Sequence, residues 1–148
     1  MPDFEVRPIT AEETLSLRHA ILRAGLPREM AIFPGDEAES SRHFGAFLDG
    51  KLVGVATIHF ASLLDRPDFD PAYQVRGMAT TPEVRGQGAG HALVEACMEA
   101  ARAAGAHWIW CNARTPAVGF YTQHGFKPTT GVFDIPTAGP HMRMFRPL

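Results

Sequence analysis

The residues best suited to do chemistry lie between Gln74 and Gly90, in the order Q-V-R-G-M-A-T-T-P-E-V-R-G-Q-G-A-G. Three alternate glycines, Gly86, Gly88 and Gly90, let the backbone of Arg85-Gly86-Gln87-Gly88-Ala89-Gly90 approach an anion closely. A helix starting there aims its unpaired N–H groups and the positive end of its dipole at that anion. The segment therefore reads as a diphosphate cradle at the end of a strand, and spacing separates the common types. A dinucleotide fingerprint begun at Gly86 needs Gly or Ala at 91, where the chain has His91, and no acidic ribose ligand stands at a second strand end about 20 residues on. A P-loop needs Gly-Lys-Ser/Thr, and the only lysines are Lys51 and Lys127. What remains is Arg-x-x-Gly-x-Gly after V-R-G-M-A-T-T-P-E, with an ordinary glycine-rich turn as its inert alternative.

Such a cradle needs a strand before it and a helix after it. Residues 73–80 read as the strand, and residues 88–104 as the helix, with Leu93, Val94, Cys97, Met98 and Ala101 facing inward and Gly105 as cap. Residues 107–112 form a continuous apolar run, buried on both faces, so the strand–helix–strand crossover makes the flanking strands parallel. Upstream, residues 4–7 alternate like a short strand. Thr10-Ala11-Glu12-Glu13 reads as a capping box opening a helix with Leu15, Leu17, Ile21 and Leu22 on one face, stopped by Gly25 and Pro27. Residues 29–41 are turn-rich and acidic at Asp36, Glu37 and Glu39, consistent with a mobile loop over a substrate cleft or with a solvated connector. Two β-rich runs, 43–48 and 52–60, flank Asp49-Gly50 as a hairpin, and residues 61–72 read as a loop. Thr115-Pro116 reads as an N-cap followed by proline at N1, opening a short helix that ends at His124-Gly125. Residues 126–133 and 142–145 close the chain as an antiparallel pair. The order specifies an α/β fold with a mixed sheet, in a single domain over residues 1–148.

Composition narrows the function classes. A net charge of −2 with scattered arginines excludes a strongly basic nucleic-acid footprint, and nothing points to an anionic membrane. The N-terminus lacks a basic and apolar leader, and no apolar run approaches about 18 residues, so a cytoplasmic location is expected. Cys97 and Cys111 sit among apolar neighbours and read as reduced structural thiols. The seven histidines include no H-E-x-x-H pattern, so no metal is expected.

With V-R-G-M-A-T-T-P-E before it, the cradle resembles motif A of the GNAT superfamily of acetyl-CoA-dependent N-acetyltransferases. Ala117-Val118-Gly119-Phe120-Tyr121-Thr122-Gln123-His124-Gly125-Phe126 resembles the family's motif B, A-x-x-x-Y-x-x-x-G-F, one strand after motif A's helix. The resemblance covers residues 4–146, and the W-C-N-A-R run is similar to small stand-alone bacterial members. It implies a mixed, mostly antiparallel sheet with helices on both faces, its two parallel strands splayed around the cofactor after a bulge for which Gly77-Met78-Ala79 is suited. It implies acetyl-CoA as co-substrate, no metal, and a primary amine of a small molecule or peptide as acceptor, with a homodimer as the one assembly to consider.

The same resemblance assigns roles. The Met78 N–H polarises the acetyl carbonyl, Met78, Ala79 and Thr80 pair with the pantetheine amides, and Arg85, Gly86, Gln87, Gly88, Ala89 and Gly90 hold the diphosphate. Ala117, Phe120 and Tyr121 complete the CoA contacts. Tyr121 protonates the departing thiolate, a phenol of pKa about 10 acting on a thiol of about 8.5 only with help from positioning. Many members carry Asn three residues before the motif B alanine, where this chain has Arg114. Asn112 then offers a contact to the pantetheine arm and Arg114 one to the nucleotide phosphates, against a strand-end cap and a solvated side chain. Gln74 stands where some members have a catalytic glutamate, and glutamine cannot act as that base. His141, His59, His43 and Asp134 are the remaining base candidates, His141 first because the G-P-H turn places it near the cleft. Two other functions are a CoA-binding sensor without acceptor chemistry, which the missing glutamate favours, and an enzyme using a longer acyl-CoA.

Overall fold

The alternating apolar runs form seven strands: β1 (Glu5–Ile9), β2 (Arg42–Leu48), β3 (Lys51–Phe60), β4 (Ala72–Thr80), β5 (Trp108–Arg114), β6 (Lys127–Ile135) and β7 (Gly139–Pro147). In the computed structural model, which describes residues 3–63 and 65–148, they make one mixed sheet in the order β1-β2-β3-β4-β5-β7-β6. β4 and β5 are parallel, while β1–β2, β2–β3, β5–β7 and β6–β7 are antiparallel. The α-helices are α1 (Leu15–Leu17), α2 (Ala89–Ala103) and α3 (Val118–Gln123). No helix among the described residues is long and apolar enough to cross a membrane. The chain divides into two compact units, one built from the residues up to His59 with Arg76–Ala100, the other from Phe60–Val75 with Ala101–Leu148.

In the first unit the capping box forms as read: the Glu13 N–H donates to Thr10 Oγ1 (3.2 Å) and the Thr10 N–H to Glu13 Oε1 (2.8 Å). The helical segment that follows is not uniform. It passes from a 3-10 turn (Glu12–Thr14) through α1 to a π turn (Arg18–Leu22), whose end shares the Arg23 N–H between the Arg18 and His19 carbonyls. It therefore stops ahead of Gly25. Its inward face is also not wholly apolar: Arg18 is fully buried, while Leu17, Ile21 and Leu22 are only half-buried.

Residues 29–41 depart from the solvated reading. Ala31, Phe33 and Asp36 are buried, because this segment supplies the counter-charge and ring that Arg18 requires. The hairpin turn has Asp49 at φ 51° and Gly50 at φ 80°, the pair of positive angles that a two-residue turn between Leu48 and Lys51 needs. On α2, Leu93, Val94, Cys97 and Met98 are all buried as the periodicity predicts. A Cβ on Gly54 of β3 would lie 2.9 Å from Leu93 Cδ1, so this glycine lets strand and helix close together. Burying a leucine of this kind contributes about 2 kcal/mol.

In the second unit β4 and β5 pair from Ala72↔Trp108 to Val75↔Cys111, and β7 runs between β5 and β6. The connection before β4 carries core residues that a loop reading misses. Leu63 is fully buried, Phe69 stacks on Trp108 at 3.7 Å between centroids, and the Ala61 carbonyl accepts from Trp110 Nε1 (2.9 Å). α3 also starts differently from the expectation. Thr115 makes no side-chain cap, and Thr115–Ala117 is a 3-10 turn whose proline presets the backbone. The helix ends as expected: Gly125, at φ 85°, donates to the Thr122 carbonyl and Phe126 to that of Tyr121, a Schellman closure, while Arg146 Nη1 donates to the His124 carbonyl at 2.7 Å.

Candidate active site

β4 runs five residues past its ladder with β5, from Arg76 to Thr80, and the distortion lies at the start of this stretch. Gly77 has φ 63°, the left-handed angle of a leading bulge glycine. Space requires glycine too. A Cβ there would stand 2.8 Å from Arg18 Nε and 3.2 Å from the Phe33 ring. Met78 and Thr80 are half-buried and Ala79 is buried. The Thr81 N–H donates to the Val53 carbonyl (2.9 Å), and a 3-10 turn (Pro82–Val84) packs Val84 with Val53 and Ala89. That packing fixes the approach to α2.

The turn into α2 then uses two left-handed glycines, Gly86 at φ 78° and Gly88 at φ 102°. The Ala92 N–H closes the first helical bond on the Gly88 carbonyl (3.0 Å). The N–H groups of Ala89, Gly90 and His91 precede that bond, where helix geometry provides no partner within the helix. Around the turn, Gln87 Nε2 donates to the Glu83 carbonyl (2.9 Å) and exposed Arg85 reaches the Thr80 carbonyl through Nη2 (3.4 Å). Ala89 is buried and Gly90 half-buried, so this part of the backbone is held from beneath. Successive N–H groups after left-handed residues form an anion nest with the helix dipole behind it.

A buried polar network that sequence reasoning missed supports β4. Arg18 Nη1 donates to Asp36 Oδ2 (2.6 Å) and the Ala31 carbonyl (3.0 Å), and Arg18 Nη2 to Asp36 Oδ1 (3.1 Å) and Thr57 Oγ1 (2.8 Å). His59 Nε2 donates to Asp36 Oδ1 (3.2 Å) and the Phe33 N–H to Oδ2 (2.9 Å). Burial works against ionising Asp36. The His59 and Arg18 hydrogen bonds, the Phe33 N–H and the Arg18 charge outweigh it and hold the carboxyl well below its ordinary range. His43 Nε2 donates to the Asp36 carbonyl (2.8 Å), which leaves Nδ1 to accept from the Thr57 hydroxyl (2.7 Å). Two base candidates, His43 and His59, therefore have structural partners, and Asp134 is exposed on β6.

The remaining expected site residues lie on β5, α3 and β7. Asn112 Oδ1 accepts from Arg143 Nε (2.9 Å), which leaves the Asn112 amide N–H groups to donate elsewhere. Arg143 also pairs with Asp65, itself bonded by Thr129. At the end of β5, Arg114 is the direct register partner of His141. The His141 ring is buried, and Nδ1 donates to the Gly139 carbonyl (2.7 Å), so in the neutral ring the lone pair sits on Nε2. Ala117 precedes α3. Phe120 is half-buried and Tyr121 buried, the two rings meeting edge-on at 5.1 Å, with Phe126 edge-on to Tyr121 at 5.2 Å.

A parallel strand pair followed by a glycine-rich strand-to-helix turn is the arrangement expected of a CoA-dependent acyltransferase. The family model described as the acetyltransferase (GNAT) family matches residues 10–126. A relative from Bacillus subtilis (strain 168), the uncharacterized N-acetyltransferase YitI, is 38% identical over 146 residues, covering 97% of this chain and 96% of that protein. Among solved structures, Escherichia coli ElaA superposes with a TM-score of 0.77 at 21% identity, covering 97% of this chain and 99% of that one. An acyl-CoA N-acyltransferase from Pseudomonas aeruginosa gives 0.74 at 19% identity, with the same coverage. The two superpositions bear on the fold. The chain belongs to the GNAT family of acetyltransferases, which take acyl-CoA as co-substrate and act on amines.

Proposed function

We propose that this protein transfers an acetyl group from acetyl-CoA to a primary amine of a small-molecule or peptide acceptor by direct attack on the thioester. The observation that carries this reading is the start of α2, where left-handed Gly86 and Gly88 precede the first-turn N–H groups. Arg85, Gly86, Gln87, Gly88, Ala89 and Gly90 hold the diphosphate, the helix dipole matching its charge. Met78, Ala79 and Thr80, beyond the β4–β5 ladder, bond the pantetheine amides, and the Met78 N–H stabilises the oxyanion, a contribution of about 3–4 kcal/mol for such a donor. Asn112, held by Arg143, donates to the arm, Arg114 meets the nucleotide phosphates, and Ala117 and Phe120 flank the CoA.

The attacking amine must be neutral, and His141 Nε2 takes its proton, a role supported by the Nδ1 bond to Gly139. The Tyr121 hydroxyl returns a proton to the CoA thiolate. Residues 1–148 act as one catalytic domain, a reading supported by a family match that spans both compact units. Two free buried cysteines, with burial pushing the Cys97 thiol up to about 12, suit a reducing cytoplasm.

The test is CoA release with acetyl-CoA over polyamines, amino acids, aminoglycosides and peptide N-termini. On the best acceptor, Tyr121→Phe lowers kcat by about 10²–10⁴-fold while the KM for acetyl-CoA stays, and the high-pH limb of the wild-type profile disappears. Wild-type turnover with an unchanged profile would demote Tyr121 to packing.

A further inference from the structure

Three guanidinium groups converge on one ring. Arg18, Arg76 and Arg23 lie 4.2, 4.5 and 5.2 Å from the Phe33 centroid. The carboxylate among them, Asp36, already accepts two bonds from Arg18, one from His59 and one from the Phe33 N–H, which fills the lone-pair sites of its two oxygens. Arg18 Nη1 and Nη2 are paired in this way while its buried Nε has no partner among the described residues, and Arg23 Nη1 donates to the Leu22 carbonyl. Arg76 differs. It is half-buried on β4 and packs on Phe33, and among the described residues no carboxylate, carbonyl or hydroxyl accepts from it. Its pKa is held below the ordinary arginine value, first by burial and then by the Arg18 charge, with Asp36 opposing and Arg23 adding to the effect. Five donors in a planar fork, partly desolvated and in positive surplus, suit a planar anion.

We infer that Arg76 is a specificity-determining residue that binds the carboxylate of an amino-acid-like acceptor. The inference rests on the acetyl-transfer reading above. Arg76 lies two residues before Met78 on β4, with left-handed Gly77 between them. A carboxylate on its guanidinium leaves a short linker's length to an amine attacking at the Met78 amide. Packing of Arg76 on the Phe33 ring restrains the side chain before any ligand arrives, which lowers the entropy cost of binding.

The test is CoA release from acetyl-CoA by wild type and Arg76→Gln, using α-, β- and γ-amino acids, each beside its carboxamide, with spermidine and O-phosphoethanolamine as further amines. Wild type favours a carboxylate-bearing amine over its carboxamide. Arg76→Gln removes that preference by raising the carboxylate's KM roughly 10–100-fold, the range of a charge-assisted pair. The carboxamide's KM and that of acetyl-CoA stay unchanged, whereas a merely structural role would move all three. Should Arg76→Gln fail to fold by circular dichroism, Arg76→Lys carries the test, since it keeps the charge, loses the fork and lowers the preference. Turnover confined to carboxamides, spermidine or O-phosphoethanolamine overturns the inference, as does carboxylate kinetics unmoved by the substitution. No turnover of any carboxylate-bearing amine overturns it too, provided acetyl-CoA still raises Tm. If acetyl-CoA does not raise Tm, the acetyl-transfer reading itself fails.

Discussion

Arg18 shows how much one buried charge demands of its surroundings. It is fully buried with four donated bonds, and Asp36 is its carboxylate. Asp36→Asn leaves that guanidinium without its counter-charge, which costs about 3–5 kcal/mol in urea unfolding at pH 7. The pH dependence follows from the depressed carboxyl. Its contribution is fully present above the unfolded value of about 4 and is lost as pH falls from there toward the folded value. Wild type therefore loses stability more steeply than Asp36→Asn as pH falls below about 4, and parallel curves would contradict this role. Part of the network was legible. Leu15, Arg18 and Leu22 share a helical stripe, and Thr57 and His59 share a strand face, so each polar residue stands at an inward position. The partner was not legible, because Asp36 sits in a turn-rich segment without periodicity.

At the scale of elements, glycines were the most legible feature. Gly77, Gly86, Gly88, Gly105 and Gly125 all have positive φ, the conformation that L side chains avoid. The α2 face was equally legible, since a 15-residue helix gives its 3.6 period room to declare itself. Short elements were not: the π turn at Arg18–Leu22 and the 3-10 turn at Thr115–Ala117 answer to local packing and proline geometry rather than to a pattern. The consequence for the cradle is direct. Gly88→Glu adds a Cβ at φ 102° and a negative charge at the helix start. CoA binding by calorimetry is expected to disappear while the circular dichroism spectrum is retained. Undiminished affinity would reduce the cradle to a simple turn.

For the whole molecule, the order of strands and helices was readable because the parallel β4–β5 pair follows from one helical crossover, and the hairpin from Asp49-Gly50. The core content of residues 61–71 was not, since Leu63 and Phe69 follow neither a helical nor a strand period and stand among turn formers. The proposed activity requires that the folded chain bind an acyl-CoA. Thermal unfolding with and without ligand tests that claim most directly. Acetyl-CoA at 100 times its dissociation constant is expected to stabilise the folded protein by about 2.7 kcal/mol and raise Tm, while NADH at the same concentration leaves Tm where it was. No shift with saturating acetyl-CoA, or an equal shift with NADH, would contradict the account.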